Sequence, residues 1–417
     1  MNRERKPRAG FGGAIAGIAL AAFLGGVSAV FSIAFFEGAA AAGRMLGGGE
    51  LHLWSLAIAP AVAGIVCGGI KKYIHGAPFC GLADTMLAAR RGDSQEWKPA
   101  AASVFASFAS FAAGASVGQY GPVGHLGGFI GGLFRRRLER GVGAACGVAA
   151  AIAAAFNAPV TGLLFAHEVI LRHYSPRAFA PVTVAAVAGY TVSVAFGRPP
   201  FLSIGEMRAV AASDFVVFGA QGALFGAMAA WYLRAIFRLG KVLSPLPSIP
   251  VLAAAGMLCG LLWLLAPEAA GGRDLLRLAV EDGLSGRDAL FFGAIKAAAT
   301  VLCLGAGFAG GVVGPTLGIG ALAGVLYAAL AAAAGVYDGP LFVPVVCGMI
   351  AFTAPVIGAP LAGILFVLEL SGGNYPLTVA ASLAVALSVS AAEKLGRGSY
   401  YEQQLLARGI KINPREM

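Results

Sequence analysis

Gly118-Gln119-Tyr120-Gly121-Pro122 and Gly311-Val312-Val313-Gly314-Pro315 decide how this chain is read. Each lies deep in an apolar stretch, and each carries a Gly-Pro step able to open a helix. Proline suits the first helical position, where no intrahelical N–H bond is lost. The glycines before it remove side chains and leave backbone N–H groups bare. A helix that begins inside a membrane turns unpaired N–H groups and the positive end of its dipole toward whatever lies there. Unsatisfied donors in lipid are costly, so such a break persists only where it lines a cavity or meets a ligand. An anion is the ligand that suits it.

The bulk composition agrees with a membrane setting. Of 417 residues, 58% are hydrophobic and 12% charged, against roughly 25% charged in an ordinary soluble domain. The charge-free runs from Ala14 to Phe36, Leu51 to Ile70, Ala178 to Gly197 and Phe215 to Leu233 are each long enough to span a bilayer. The basic start, Met1 to Arg8, precedes an apolar run too long for a signal peptide and without a small-residue cleavage site, so it reads as a retained first helix.

The net charge of +10 does not point to nucleic acid. The basic residues sit at helix ends: Arg3, Arg5, Lys6 and Arg8; Lys71 and Lys72; Arg135, Arg136, Arg137 and Arg140; Arg172 and Arg177; Lys394 and Arg397. That distribution follows the positive-inside rule and puts both termini in the cytoplasm. The six cysteines have no metal-type spacing, and five lie in apolar runs where cysteine acts as a small hydrophobe. With no nucleophile–base pair, metal cluster or phosphate loop in view, the expectation is a non-enzyme without metal or resident cofactor.

The chain is also a duplication. Cys146-Gly147, Ala158-Pro159, Gly162, Leu164-Phe165 and Glu168 recur as Cys347-Gly348, Ala359-Pro360, Gly363, Leu365-Phe366 and Glu369, all at an offset of 201 residues. The expected organisation is an N-terminal tail at 1–9, a first membrane repeat at 10–200, a connection at 201–213, a second repeat at 214–400 and a cytoplasmic end at 401–417. Spacing alone leaves parallel and inverted copies both open. The rival, an alanine-rich bundle whose glycines serve close helix contact only, does not ask for two Gly-Pro starts at matched depth.

At these residues the chain resembles the CLC family of chloride channels and proton-coupled anion exchangers. The family signatures read roughly GSGIP, G(K/R)EGP and GxFxP, with a pore tyrosine near the end of the membrane domain. The third matches Gly311 to Pro315, and Phe156-Asn157-Ala158-Pro159 with the residues through Glu168 resembles the helix pair after the second. The resemblance implies an all-α integral membrane fold, an inverted repeat of broken and re-entrant helices. It also implies a homodimer with one anion pathway per subunit, in a bacterial inner membrane, carrying chloride or a similar small anion.

The departures from the family shape the functional expectation. Where the second signature holds a gating glutamate that also carries a proton, this chain has Gln119 and then Tyr120. A phenol titrates near pH 10, so Tyr120 acts by size or by donating its O–H, or else merely packs against neighbouring helices. The exchangers' second proton site lies in an acidic pair after the Leu-Phe step; here the sequence is His167-Glu168-Val169, so Val169 replaces the proton-handling acid. Glu168 is repeated as Glu369, which favours a structural role at helix ends or arginines, and His167 is an alternative proton carrier.

The first signature aligns with Cys80-Gly81-Leu82-Ala83, and a second register puts Phe79 at the serine position. A thiol is a weaker donor than a hydroxyl, so chloride binding is expected to weaken relative to larger anions. Ser399-Tyr400-Tyr401-Glu402 resembles the pore-tyrosine segment, with Tyr401 the better register. The expected anion ligands are the N–H groups of Val312 and Val313, the Tyr401 hydroxyl and, weakly, Cys80. Lys296 stands alone in an apolar stretch and either raises the potential along the path or pairs with Asp288 or Glu281. The reading is passive anion conduction; the rivals are a proton-coupled exchanger using His167 or Glu168, and a non-conducting membrane sensor or scaffold.

Overall fold

The computed structural model describes residues 11–47, 52–75, 78–199, 201–202, 211, 214–280, 283–396 and 398–410. The expected tail at 1–9, most of the connection at 201–213, Glu281, Arg397 and residues 411–417 lie outside the described residues. The chain begins with α1 (Phe11–Gly47), α2 (His52–Ile70), α3 (Leu82–Arg91), α4 (Trp97–Ala112) and α5 (Tyr120–Gly132). It continues with α6 (Val142–Phe156), α7 (Pro159–Phe165) and α8 (Pro176–Ala195). Then follow α9 (Asp214–Leu243), α10 (Ser248–Leu265), α11 (Pro267–Ala270), α12 (Arg273–Val280) and α13 (Gly286–Ala306). The last are α14 (Val313–Ala333), α15 (Phe342–Ile357), α16 (Pro360–Leu370), α17 (Tyr375–Leu395) and α18 (Tyr400–Ala407). π-Helical turns at Lys71–His75 and Ala166–Leu171 extend α2 and α7.

Helix length follows from where charge is missing. α1 has 37 residues, about 55 Å of helix against a hydrocarbon core of about 30 Å, so it must run well off the membrane normal or leave the core. Among the described residues, eight helices are long and apolar enough to cross a membrane. α5, α6 and α15, with 13, 15 and 16 residues, reach only about 20–24 Å. These short helices are tolerable at depth because they are enclosed by others: every residue of α6 is buried.

The duplication is visible in the turns. Asn157 ends α6 with φ 55° and Gly358 ends α15 with φ 73°, the left-handed conformation that lets the chain turn directly into the Ala-Pro start of the next helix. Close helix contact is glycine-made in both copies. A Cβ on Gly127 would run into the Gly147 carbonyl between α5 and α6, and one on Gly320 into the Gly348 carbonyl between α14 and α15. The result is an inverted repeat of broken and re-entrant helices whose two interrupted starts meet near the centre.

Candidate anion pathway

Two glycines join the helix starts. Gly118 N donates to Gly311 O and Gly311 N donates to Gly118 O, both at 2.6 Å. A Cβ on Gly118 would sit 2.9 Å from Gly311 O, and one on Gly311 would sit 2.7 Å from Gly121 N. Backbone meets backbone here, and only glycine allows it. α5 then starts at Tyr120 with Gln119 before it, and α14 starts at Val313 with Val312 before it. Pro122 and Pro315 therefore stand at the third helical position, not the first as the sequence suggested. The third position still lies in the turn whose N–H groups have no helical partner. Proline removes one of those four donors, so the amides ahead of the first intrahelical bond are those of Val312, Val313 and Gly314 in α14, and of Gln119, Tyr120 and Gly121 in α5.

A cavity of about 690 Å³ reaches this point from one side. Cys80, Gly81, Gly121, Pro122, Gly311 and Tyr401 line it, with Lys71 and Lys241 adding positive charge and Arg408 also in the wall. Tyr401 is 3% exposed, and its hydroxyl is buried without a hydrogen-bond partner. An unbonded buried hydroxyl costs about 1–3 kcal/mol. α18 holds that ring in place through two ion pairs: Arg172 Nη1 to Glu402 Oε1 at 2.5 Å and Arg408 Nη1 to Asp84 Oδ1 at 2.6 Å. Arg408 Nη2 also donates to Phe79 O at 3.1 Å. Cys80 N donates to Ser103 Oγ at 2.8 Å. Burial and the nearby Asp84 carboxylate push the Cys80 thiol up to about 11, so it is a neutral thiol near pH 7. Phe79, the residue of the alternative register, lines the same cavity.

A separate, small cavity of about 40 Å³ is lined by Val313, Leu317, Phe156, Phe366 and other apolar or threonine side chains. The Tyr120 ring stacks on Phe156 with centroids 4.1 Å apart and planes at 22°. Phe36 lies 5.7 Å from it at a tilt and Phe201 6.3 Å away, near edge-on. Phe366 in turn packs on both Phe156 and Phe201.

The remaining sequence candidates lie elsewhere. Glu168 accepts Leu361 N at 2.9 Å and Ala362 N at 2.8 Å, at the start of α16. Its repeat partner Glu369 accepts Val160 N and Thr161 N, both at 2.8 Å, at the start of α7. Each copy thus caps the other's re-entrant helix, a charge-assisted arrangement favoured by the helix dipole. His167 is 1% exposed; its Nδ1 lies 3.0 Å from His173 O, its ring stacks on Tyr174, and Nε2 is buried without a partner. Glu281, one carboxylate suggested for Lys296, lies outside the described residues. Lys296 bonds backbone carbonyls. Its Nζ donates to the Ala269 carbonyl at 2.9 Å and lies within 3.5 Å of those of Ala270 and Gly271, so it satisfies the C-terminal end of the short α11. Asp288 instead bonds Ser285, and Lys296 lines neither cavity.

The family model described as "Voltage gated chloride channel" matches residues 61–393. The chain belongs to this CLC family. Among curated relatives, the H(+)/Cl(-) exchange transporter ClcA of Citrobacter koseri is 29% identical over 314 residues, covering 71% of this chain and 66% of that protein. The Salmonella arizonae transporter of the same description is 28% identical over 321 residues with the same coverage. The chain therefore spans just under two thirds of the length of these relatives. In fold it is similar to a slow cyanobacterial Cl-/H+ antiporter, with TM-score 0.84, 22% identity, and 94% and 97% of the two chains covered. It is also similar to a CLC-type fluoride/proton antiporter, with TM-score 0.80, 18% identity, and 95% and 99% covered.

Several residues of the pathway escaped the sequence reading. Ser103, Ser107 and Ser110 form a polar stripe at helical spacing in the otherwise apolar α4, a signal that was available: Ser103 holds Cys80 N and Ser107 lines the cavity. Phe36, Phe201 and Phe366 carried no such signal, because a phenylalanine in an apolar run reads the same whether or not it meets Tyr120.

Proposed function

We propose that this CLC protein conducts chloride or a similar small anion passively across a bacterial inner membrane, as a homodimer with one path per subunit and both termini in the cytoplasm. The observation that carries the reading is the buried, unpartnered Tyr401 hydroxyl, which lines one cavity with Gly311 and Gly121 at the two helix starts. An anion held by that hydroxyl and by the amides of Val312 and Val313 meets neutral donors only. Such binding replaces hydration yet releases the ion readily. Helix ends contribute about 0.3–2 kcal/mol each. Lys71 and Lys241, in the wall of the same cavity, raise the local anion concentration.

The same residues support a reading without proton coupling. The position of the gating carboxylate is Tyr120, enclosed by phenylalanines. The nearest repeated acids, Glu168 and Glu369, spend their oxygens on backbone amides. A second reading, proton–anion exchange, is favoured by the ClcA relatives, which are described as H(+)/Cl(-) exchangers, and by the unpartnered Nε2 of His167 as a proton acceptor. Anion efflux from proteoliposomes recorded together with internal pH separates the two. Passive conduction gives efflux with no uphill proton movement. A fixed anion-to-proton ratio, abolished by His167→Gln, would establish the exchanger, and no efflux at all would favour a sensor or scaffold.

A further inference from the structure

The start of α3 is held from two sides. Asp84, in its first turn, accepts Gly81 N at Oδ2 over 2.8 Å and gives Oδ1 to Arg408 Nη1 at 2.6 Å. Capping the helix requires only the first of these contacts. The second ties α3 to Arg408, at the C-terminal end of α18, the helix that carries Tyr401. Arg408 Nη2 reaches on to Phe79 O at 3.1 Å. Thr85, the next residue of α3, is buried and donates to Gly81 O at 3.4 Å. A hydroxyl carries one proton and accepts two. That of Thr85 takes Gln95 Nε2 at 2.9 Å and lies 3.0 Å from His125 Nδ1. With the Thr85 proton on Gly81 O, its oxygen receives the Nδ1–H of His125, a buried residue of α5.

Both polar groups of Gly81 are therefore secured through neighbours that answer to different helices. The N–H is tied through Asp84 to α18, and the carbonyl through Thr85 to α5. Gly124 and Gly128 let α3 lie this close to α5: a Cβ on Gly128 would come 2.3 Å from Thr85 Cγ2, and one on Gly124 3.0 Å from Leu82 Cδ2. Cys80 and Gly81 share the wall of the large cavity with Tyr401 and Gly311. Apolar contacts alone would seat a short helix as firmly as an ion pair and a hydroxyl network, so what the polar links add is a defined position. We propose that Asp84, Thr85 and His125 are positioning residues for anion discrimination. They fix the Cys80–Gly81 segment relative to Tyr401 and the start of α14, and so set the size of anion that touches both walls. The proposal rests on this cavity being the anion site and does not depend on whether transport is passive or proton-coupled.

The readout is the ratio of chloride to thiocyanate dissociation constants, from calorimetric titration of detergent-solubilised protein, with thermal unfolding recorded alongside. Thr85→Val keeps the shape and removes the hydroxyl. Asp84→Asn keeps an oxygen for Gly81 N and gives up the charge that holds Arg408. Each should free the segment to shift, so that chloride loses a contact the larger thiocyanate keeps, and the ratio should move about fivefold in favour of thiocyanate. Thr85→Ser restores the hydroxyl and should return the ratio to within about twofold of the parent. His125→Leu should act in the same direction as Thr85→Val, and the double variant no further, because both break one link. Glu369→Ala, outside the cavity, should lower the unfolding temperature and leave the ratio unchanged. Arg408→Lys keeps the charge and loses the fork to Phe79 O; it should give a smaller shift of the same sign, and it carries the test should the other variants not fold. An unchanged ratio in folded variants that still bind chloride would overturn the positioning role alone. An equal shift in Glu369→Ala would reduce it to general loosening and overturn it too. No binding of either anion to the parent would remove the anion site itself, and the positioning role with it.

Discussion

Replacing Tyr120 by alanine should open the narrow end of the pathway. The ring is 4% exposed and makes aromatic contacts with Phe156 at 4.1 Å, Phe36 at 5.7 Å and Phe201 at 6.3 Å. Aromatic pairs are worth about 0.5–1.5 kcal/mol each beyond burial, so these contacts hold the ring in the closed position by about 1.5–4.5 kcal/mol. If the ring must leave for an anion to pass, that energy corresponds to about a tenfold to thousandfold lower open fraction. Tyr120→Ala removes the plug and should raise chloride efflux toward that range, until another step limits it. Tyr120→Phe keeps the ring and its stacking, and should stay within about fivefold of the parent, since a lost hydroxyl is worth about 1 kcal/mol or less. The assay is chloride-electrode efflux from proteoliposomes at matched protein density, with size-exclusion profiles confirming folded protein. Unchanged efflux in a well-folded Tyr120→Ala protein would refute the reasoning, because the ring would then stand outside the conducting path.

Other expectations follow from the same geometry. Tyr401→Phe removes the one unpartnered hydroxyl at the cavity floor and should weaken bromide binding about tenfold; anomalous scattering from bromide-soaked crystals checks it, and full occupancy beside Phe at 401 would remove Tyr401 from the site. Cys80→Ser restores a stronger donor and should raise chloride flux relative to thiocyanate; an unchanged ratio in bi-ionic measurements excludes Cys80 as a ligand. Because burial raises the Cys80 thiol to about 11, its reaction with a methanethiosulfonate reagent should be slow at neutral pH and speed up about tenfold per pH unit until that value. A rate already at its plateau near pH 8 contradicts the buried placement. Glu168→Ala and Glu369→Ala each strip two helix-start amides of their acceptor, and should cost about 2–4 kcal/mol of stability apiece. Thermal unfolding in detergent reads this loss, and a drop in only one of the two would break the reciprocity.

Much of this protein was legible in the chain itself. Long charge-free runs force helices into the membrane, because only a helix satisfies its own backbone there. The offset of 201 residues between Glu168 and Glu369 announces the duplication, and glycines at 118, 121, 311 and 314 mark where backbone would be exposed. All of these depend on local chemistry or on repetition, and both are written along the sequence. Tertiary structure alone decided what each marked residue meets. That Glu168 caps α16 while Glu369 caps α7 depends on two segments 193 to 209 residues apart coming into register. Lys296 looked like a charge in search of a carboxylate, yet it bonds the carbonyls at the end of α11, because the exposed end of a four-residue helix is an acceptor that composition does not reveal. The cage around Tyr120 and the hold of Arg172 on Glu402 are likewise contacts between distant elements. An apolar or charged side chain carries no mark of its partner until the helices around it are in place.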